Sequence, residues 1–364
     1  MLFVKSEDLK VGMRLAKPIY NKKGVLLYDR DTKLTPQGIK SIANFGLIGI
    51  YVLEPAEPLP PMTEDDIEFE RFQTIAVFAI KEDMQNLLSH NDPKNLLNIA
   101  NMIIKNYGKM FKKINFTQNL RSADDYVYKH SINVAILCAL ISHKLHLDFM
   151  TQLDIVIAAL LHDLGKLNIA YGLASKYDIS DDEKSEIKRG IASGYSALSD
   201  YITLSPGAKR IISQSQKEIY DIGSGYEGRD KKLYPGTKIL LVADAYDAMT
   251  AMKLDESPVS ELAALRHMID NDEIYDANTV YALLSSINVM PPGACVELSN
   301  GEKGLVINEN DNPLEPMVLS FGNNTIYDFS SSEVSKRIRI VDIMKTMDNR
   351  IVIDKKMLEN YEGL

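Results

Sequence analysis

Cysteine is nearly absent: Cys138 and Cys295 are the only two in 364 residues. A disulfide framework is thereby excluded, and each thiol sits in an apolar run as a small buried hydrophobe would. The reading is a reducing, cytoplasmic compartment. Basic residues are not in excess. Lys and Arg number 41 against 50 Asp and Glu, a formal net charge of −9. That excludes broad, sequence-independent nucleic-acid binding, which needs a basic face. It leaves room for a small anionic ligand held by a local cation or a metal. No apolar run reaches the roughly 18 residues of a membrane span. The longest, near 131–141 and 155–161, read as buried core helices. The opening MLFVKSEDLKVGMRL lacks a basic stretch followed by an apolar one and is not a signal peptide. Internal repeats and low-complexity tracts are missing as well.

What is present is ordinary globular composition, 45% hydrophobic and 25% charged. The length predicts two or three domains. Residues 1–54 form a small α+β module. Within it VGMRLAKPIYNKKGVLLY reads as two strands around a Lys23-Gly24 turn, Thr35 caps a helix opening at Pro36, and LIGIYVL is a returning strand. Residues 55–62 lie in EPAEPLPPM, with four prolines in nine positions, a semi-extended linker. Residues 63–290 turn helical, opening on a Thr63–Asp66 capping pattern. Periodic stretches cover 64–89, 94–113, 125–146, 151–164, 181–200, 206–220, 236–252, 258–270 and 276–287. Residues 291–364 hold short strands, with Asn300-Gly301 predicting a type I′ hairpin and Gly322-Asn323-Asn324 a second turn. The fold class is therefore mainly α: an all-α core between an N-terminal α+β module and a C-terminal antiparallel β tail. The long helices at 64–113 offer a surface for a homodimer.

Three helices aim polar groups inward. His162 and Asp163 end the run IVIAALLHDLGK, with Ile155 and Ala158 on the histidine's face and Val156 and Ala159 on that of Asp163. His130 heads a stripe of Val134, Leu137, Ile141 and Leu145, at spacings of 4, 7, 11 and 15. Asp244 lies in KILLVADAYDAMTA, with Asp247 three positions on. A lone buried histidine is ordinarily a hydrogen-bonded core residue, and a lone buried aspartate a cap or ion-pair member. Together, two imidazoles and two carboxylates could instead share a divalent metal. Lys166, one turn past His162, is the cation best placed for an anionic ligand; Lys176 and Lys253 are weaker candidates. His143 and His146, at a helix end, read as solvated or dipole-complementing.

His130, LLHDLGK at 160–166 and ADAYDAMT at 243–250 resemble the HD superfamily of metal-dependent phosphohydrolases. LSPGAKRIIS, the GSGY loop at 223–226 and the β tail narrow the resemblance to the HD-GYP branch, the cyclic di-GMP phosphodiesterases. The resemblance implies metal ligation by His130, His162, Asp163 and Asp244, a catalytic part for Asp163, and phosphate contact by Lys166. The cofactor it implies is a divalent transition metal, Fe or Mn, and the partner a cyclic dinucleotide or other phosphate ligand in signalling. Several positions depart from the pattern. Gly190 and Ser215-Gln216 stand where histidines are expected, Tyr126 where an acid is, Gly225-Tyr226-Glu227 where Gly-Tyr-Pro is, and Lys253 and Asp255 where an Arg-x-Tyr pair is. The expectation is one metal rather than two or three, with weak turnover. The alternative is a catalytically inactive homologue serving as a nucleotide-binding or protein-interaction module. Restoring histidine at 190 and 216 should then raise metal stoichiometry.

Overall fold

The computed structural model describes residues 2–20, 25–53, 63–170, 172–176, 178–201, 203–220, 233–254 and 256–344. The Lys23-Gly24 turn, the Pro-rich 55–62 stretch, Asp255 and the GSGY loop lie outside those residues.

The N-terminal module follows its local signals. Strands β1 (Leu2–Lys5), β2 (Arg14–Leu15) and β5 (Gly49–Leu53) form an antiparallel sheet in the order β1-β5-β2, and β3 (Ile19–Tyr20) pairs with β4 (Leu26–Tyr28). Helix α1 (Pro36–Asn44) begins where its caps dictate: Thr35 Oγ1 accepts from Gly38 N at 3.0 Å, and Pro36 occupies the first turn. Leu15, Leu34, Ile42 and Ile50 close a small core, with Leu120 packed onto it from the helical part.

The helical part opens with α2 (Glu64–Leu88), whose reciprocal capping box joins Thr63 and Asp66. Helix α3 (Leu96–Asn106) stops short of the expected 113 because the chain turns at Tyr107-Gly108 to bring Ile114 beside Ile287. Helix α4 (Tyr126–Lys144) is the central rod. It is buried nearly all round and packs on α2, α3, α5 (Phe149–Leu161), α8 (Pro235–Thr250) and α10 (Ala277–Leu284). It ends with His146 in the left-handed region (φ 56°), where Leu147 N donates to Ser142 O at 3.0 Å.

Helix α6 (Asp181–Asp200) starts at a second capping box, Ser180 with Glu183. Its Gly190 and Gly194 lie against the 3-10 turn Leu164–Asn168; a Cβ on Gly194 would stand 2.4 Å from Gly165 Cα. Helix α7 (Pro206–Tyr220) packs on α5 and α8, and α9 (Glu261–Asp270) on α8. Both cysteines are free and buried. Among the described residues no helix is long and apolar enough to cross a membrane.

The tail is a five-stranded antiparallel sheet in the order β10-β6-β7-β8-β9: β6 (Cys295–Leu298), β7 (Lys303–Asn308), β8 (Met317–Ser320), β9 (Ile326–Asp328) and β10 (Ile340–Ile343), with α11 (Ser332–Arg337) before the last strand. The Asn300-Gly301 hairpin is not type I′. Only Gly301 has positive φ (80°), and Leu298 N bonds Glu302 O around a three-residue loop. Ser299 explains the extra residue. Its N–H donates to Arg339 O, and its Oγ accepts from Arg339 N at 3.0 Å, so the neighbouring strand draws it out of the pair.

Candidate metal centre

His130 points from the middle of the first half of α4, where burial leaves it 3% exposed. His162 caps the C-terminus of α5, and Asp163 follows it at the first step out of the helix. Asp244 projects from α8. Each of the four offers one ligand atom, and these atoms lie within 4.8 Å of one another. Three helices thus deliver the set that sequence spacing alone could only align on separate apolar faces.

Both imidazoles are oriented from behind. His130 Nδ1–H donates to Asp247 Oδ2 at 2.6 Å, which turns Nε2 toward Asp244 Oδ1 (2.9 Å) and Asp163 Oδ2 (3.5 Å). His162 Nδ1–H donates to Ala159 O at 2.8 Å, leaving Nε2 3.2 Å from Asp244 Oδ1 and 3.6 Å from Asp163 Oδ2. A backing carboxylate or carbonyl on one ring nitrogen is the arrangement that fixes a metal-binding imidazole. Burial alone would depress the His130 pKa, but hydrogen bonds to Asp244 and Asp247 outweigh it and raise it to about 9. Burial would likewise push the carboxyls up, yet His130 and His162 hold Asp244 well below the usual carboxylate range. Arg121 and His130 do the same for Asp247.

Asp247 is itself clamped. Arg121 Nη2 lies 2.7 Å from both its oxygens, Gln118 Nε2 donates at 3.0 Å and Asn133 Nδ2 at 2.9 Å. Arg121 is fully buried, its guanidinium 4.9 Å from the centre of the Tyr126 ring, and Tyr126 stacks on His130. The segment carrying these donors is joined to the N-terminal module by its main chain. Ile48 N donates to Arg121 O at 2.7 Å and Lys17 Nζ to Gln118 O at 2.8 Å.

Asp163 shows the fit to a cation most directly. Its Oδ1 accepts from Tyr220 Oη at 2.6 Å. Its Oδ2 is buried and is met by Lys166 Nζ at 2.6 Å in an ion pair. A buried carboxylate oxygen paired with the Lys166 ammonium, beside two imidazole nitrogens turned inward, completes a mixed N/O donor set suited to a divalent ion. Burial opposes ionisation of both partners. For Asp163 the charges of Lys166, His162 and His130 prevail and lower its pKa. For Lys166 the charges of Asp163, Tyr220 and Asp244 prevail, and its pKa stays well above the ordinary value.

The other expected residues fall differently. Lys176 pairs with Glu183 at 2.7 Å, at the start of α6. Lys253 lies half-buried just beyond α8. Gln216 Nε2 donates to His162 O at 2.8 Å, and Ser215 Oγ donates to Ile212 O. Both side chains thus bond main-chain carbonyls. A Cβ at Gly190 would lie 2.3 Å from Ile169 Cγ2 and 2.8 Å from Gly165 O. A histidine there would have to displace the Ile169 side chain and crowd the Gly165 carbonyl, which weighs against the expectation that it restores a metal position. His146 is an exposed helix-terminal residue, and His143 meets Phe111 edge-on.

Gln118, Arg121, Asn133 and Tyr220 escaped the sequence reading. Asn133, inside an apolar helix one turn from His130, was the only one carrying a readable signal.

Two curated relatives match over part of their length. A cyclic di-GMP phosphodiesterase of Pseudomonas aeruginosa is 24% identical over 196 residues, 54% of this chain and 47% of the relative. Another of Borreliella burgdorferi is 24% identical over 201 residues, 53% of this chain and 52% of the relative. The chain thus spans about half the length of the curated relatives it matches. Among solved structures, an HDG"Y"P protein from Bdellovibrio bacteriovorus aligns at 16% identity and a TM-score of 0.44, over 78% of this chain and 97% of that one. The HD domain family matches residues 94–279, just over half of the sequence and the stretch that carries all four ligand atoms, so this chain belongs to the HD domain family.

Proposed function

We propose that the chain is a metal-dependent phosphohydrolase of the HD-GYP type. It acts on cyclic di-GMP, with one divalent transition ion, Fe or Mn, held by His130, His162, Asp163 and Asp244. The observation that carries this reading is the convergence of four ligand atoms within 4.8 Å, with His130, His162 and Asp163 buried. The names of the two relatives support the substrate class. When bound, such an ion polarises a phosphoryl oxygen and lowers the pKa of water. The chain's own residues do the rest. Asp247 and the Ala159 carbonyl hold the Nδ1 protons, so that both Nε2 atoms face the centre. Lys166, its side chain 15% exposed and firmly protonated, supplies positive charge beside Asp163 for a substrate phosphate. Lys176 and Lys253 are outlying phosphate contacts in the same reading.

A second reading, a catalytically inactive member that binds a nucleotide or a protein, is favoured by a specific feature. The positions at which this branch carries further histidines hold Gly190, packed against the Gly165 turn, and Ser215 and Gln216, bonded to carbonyls. Turnover is accordingly weak. The test is metal content of the purified protein beside hydrolysis of cyclic di-GMP with excess Mn²⁺ or Fe²⁺. Turnover that Asp163→Ala abolishes supports the enzyme. Bound metal without turnover supports the second reading, and no bound metal overturns the centre itself.

A further inference from the structure

A cavity of about 310 Å³ separates the N-terminal module from α2 and the start of α4. Its apolar wall includes Ile19, Leu27, Phe45, Leu47, Val77 and Leu120. That volume falls in the range of sites for small organic ligands, about 300–1,000 Å³.

The charges around it are almost all engaged. Lys17 Nζ donates to Gln118 O, Lys129 pairs with Asp125 at 2.5 Å, and Lys81 lies 5.3 Å over the Tyr128 ring. Asp125 also accepts from Ser122 N, and Asp124 from Ser122 Oγ. Glu70 is the exception. Among the described residues its carboxylate has no hydrogen bond or ion pair, and only its main-chain oxygen accepts, from Thr74. Burial pushes its pKa up, against the charges of Lys17 and Arg30. Glu70 is half-buried, and a carboxylate partly drawn into an apolar wall is stabilised by a charged donor.

We propose that this cavity binds a small organic ammonium, its charge met by Glu70 and its apolar body by the surrounding wall. An anion is disfavoured because three carboxylates, Glu70, Asp124 and Asp125, share the lining, and among the described residues only Asp125 is ion-paired with a lysine there. The floor is formed by Gln118, Asn119, Leu120 and Ser122, the segment whose Gln118 and Arg121 side chains hold Asp247. Occupancy is therefore coupled to the metal centre. That coupling rests on the reading given under Proposed function, whereas the binding does not.

The test is calorimetry on the ion-free full chain with three probes of one shape: phenethylamine, 3-phenylpropionate and 2-phenylethanol. Phenethylamine is expected to bind at least about tenfold tighter than the other two, the value of one charge-assisted hydrogen bond. Glu70→Gln should remove that preference, Thr74→Trp should fill the cavity and abolish binding, and Asp163→Asn should change neither. Absence of amine binding, equal binding of the three probes, preference for the carboxylate, or indifference to Glu70→Gln overturns the proposal. With Mn²⁺ added, amine affinity should shift severalfold, and Mn²⁺ affinity by the same factor. Manganese that binds without this shift overturns the coupling. Failure of manganese to bind overturns the reading of the centre and leaves the cavity result standing.

Discussion

Replacing Arg121 with methionine tests the architecture behind His130. Arg121 and Asp247 are both fully buried and 2.7 Å apart, and Asp247 is ionised largely through that neighbour. Methionine keeps much of the volume and removes the charge. Asp247 then retains only His130, Gln118 and Asn133 as donors. Removing one partner of such a pair destabilises by about 3–5 kcal/mol. Arg121 Nη1 has no acceptor among the described residues, so the guanidinium is incompletely compensated and the lower half of that range is expected. At about 2–4 °C per kcal/mol for a large domain, a loss of about 3–4 kcal/mol should lower the thermal midpoint by about 6–16 °C. Calorimetric melts of the wild type, Arg121→Met, Asp247→Asn and the double variant close a cycle, with a coupling of about 0.5–3 kcal/mol. Because His130 also loses its orientation, manganese affinity should drop about 10–100-fold in Asp247→Asn. A loss below about 1 kcal/mol for Arg121→Met, the level of an exposed pair, would refute the reasoning.

Gly194→Ala should destabilise despite a helix-propensity gain of about 1 kcal/mol, because overpacking costs about 1–3 kcal/mol. A raised melting midpoint would contradict the close approach to Gly165. Gly190→His should lower stability and leave bound metal unchanged, read by a melt and metal analysis of the same sample. His146→Gly should stabilise by about 0.5–1 kcal/mol by relieving the left-handed backbone, and a lower midpoint would count against that account. The His130 pKa is raised from 6.5 to about 9, so in ion-free protein its contribution is fully present below pH 6.5 and lost as pH climbs through 9. Metal uptake must displace that proton. Manganese binding at pH 7 should therefore release protons and tighten as pH rises, measurable in buffers of different ionisation heat. A binding enthalpy independent of buffer would sink the assignment.

Much of the fold was written locally. Ser180 with Glu183 marks the start of α6, Pro206 the start of α7, and Thr35-Pro36 that of α1, each through a cap or a fixed φ. Helix α3 was overrun because Met110 and Phe111 continue the apolar period after Tyr107-Gly108 has turned the chain. Ser299 misled on turn type because its partner, Arg339, lies forty residues away, just ahead of β10. The four ligand residues were readable because each is polar in an otherwise apolar run, which is costly without a shared partner. Arg121 and Gln118 sit in an extended segment before α4, where no periodicity marks a side chain as inward. Tyr220 closes a helix whose facing carboxylate is 57 positions earlier. Gly190 read as a lost histidine; in three dimensions it is part of a glycine contact between two backbones, and only the neighbouring chain reveals that.

The prolines at 55–61 invite a cut between the first fifty residues and the rest. The main-chain bonds from Lys17 and Ile48 to Gln118 and Arg121 argue that such a cut would not be clean. A truncated chain would keep every imidazole and carboxylate of the centre, yet it would hand two carbonyls of their supporting segment to water and bare Leu120. The amino-terminal module acts as a brace for a site to which it contributes no ligand, and any shortened version meant to preserve that site must retain β1 through β5.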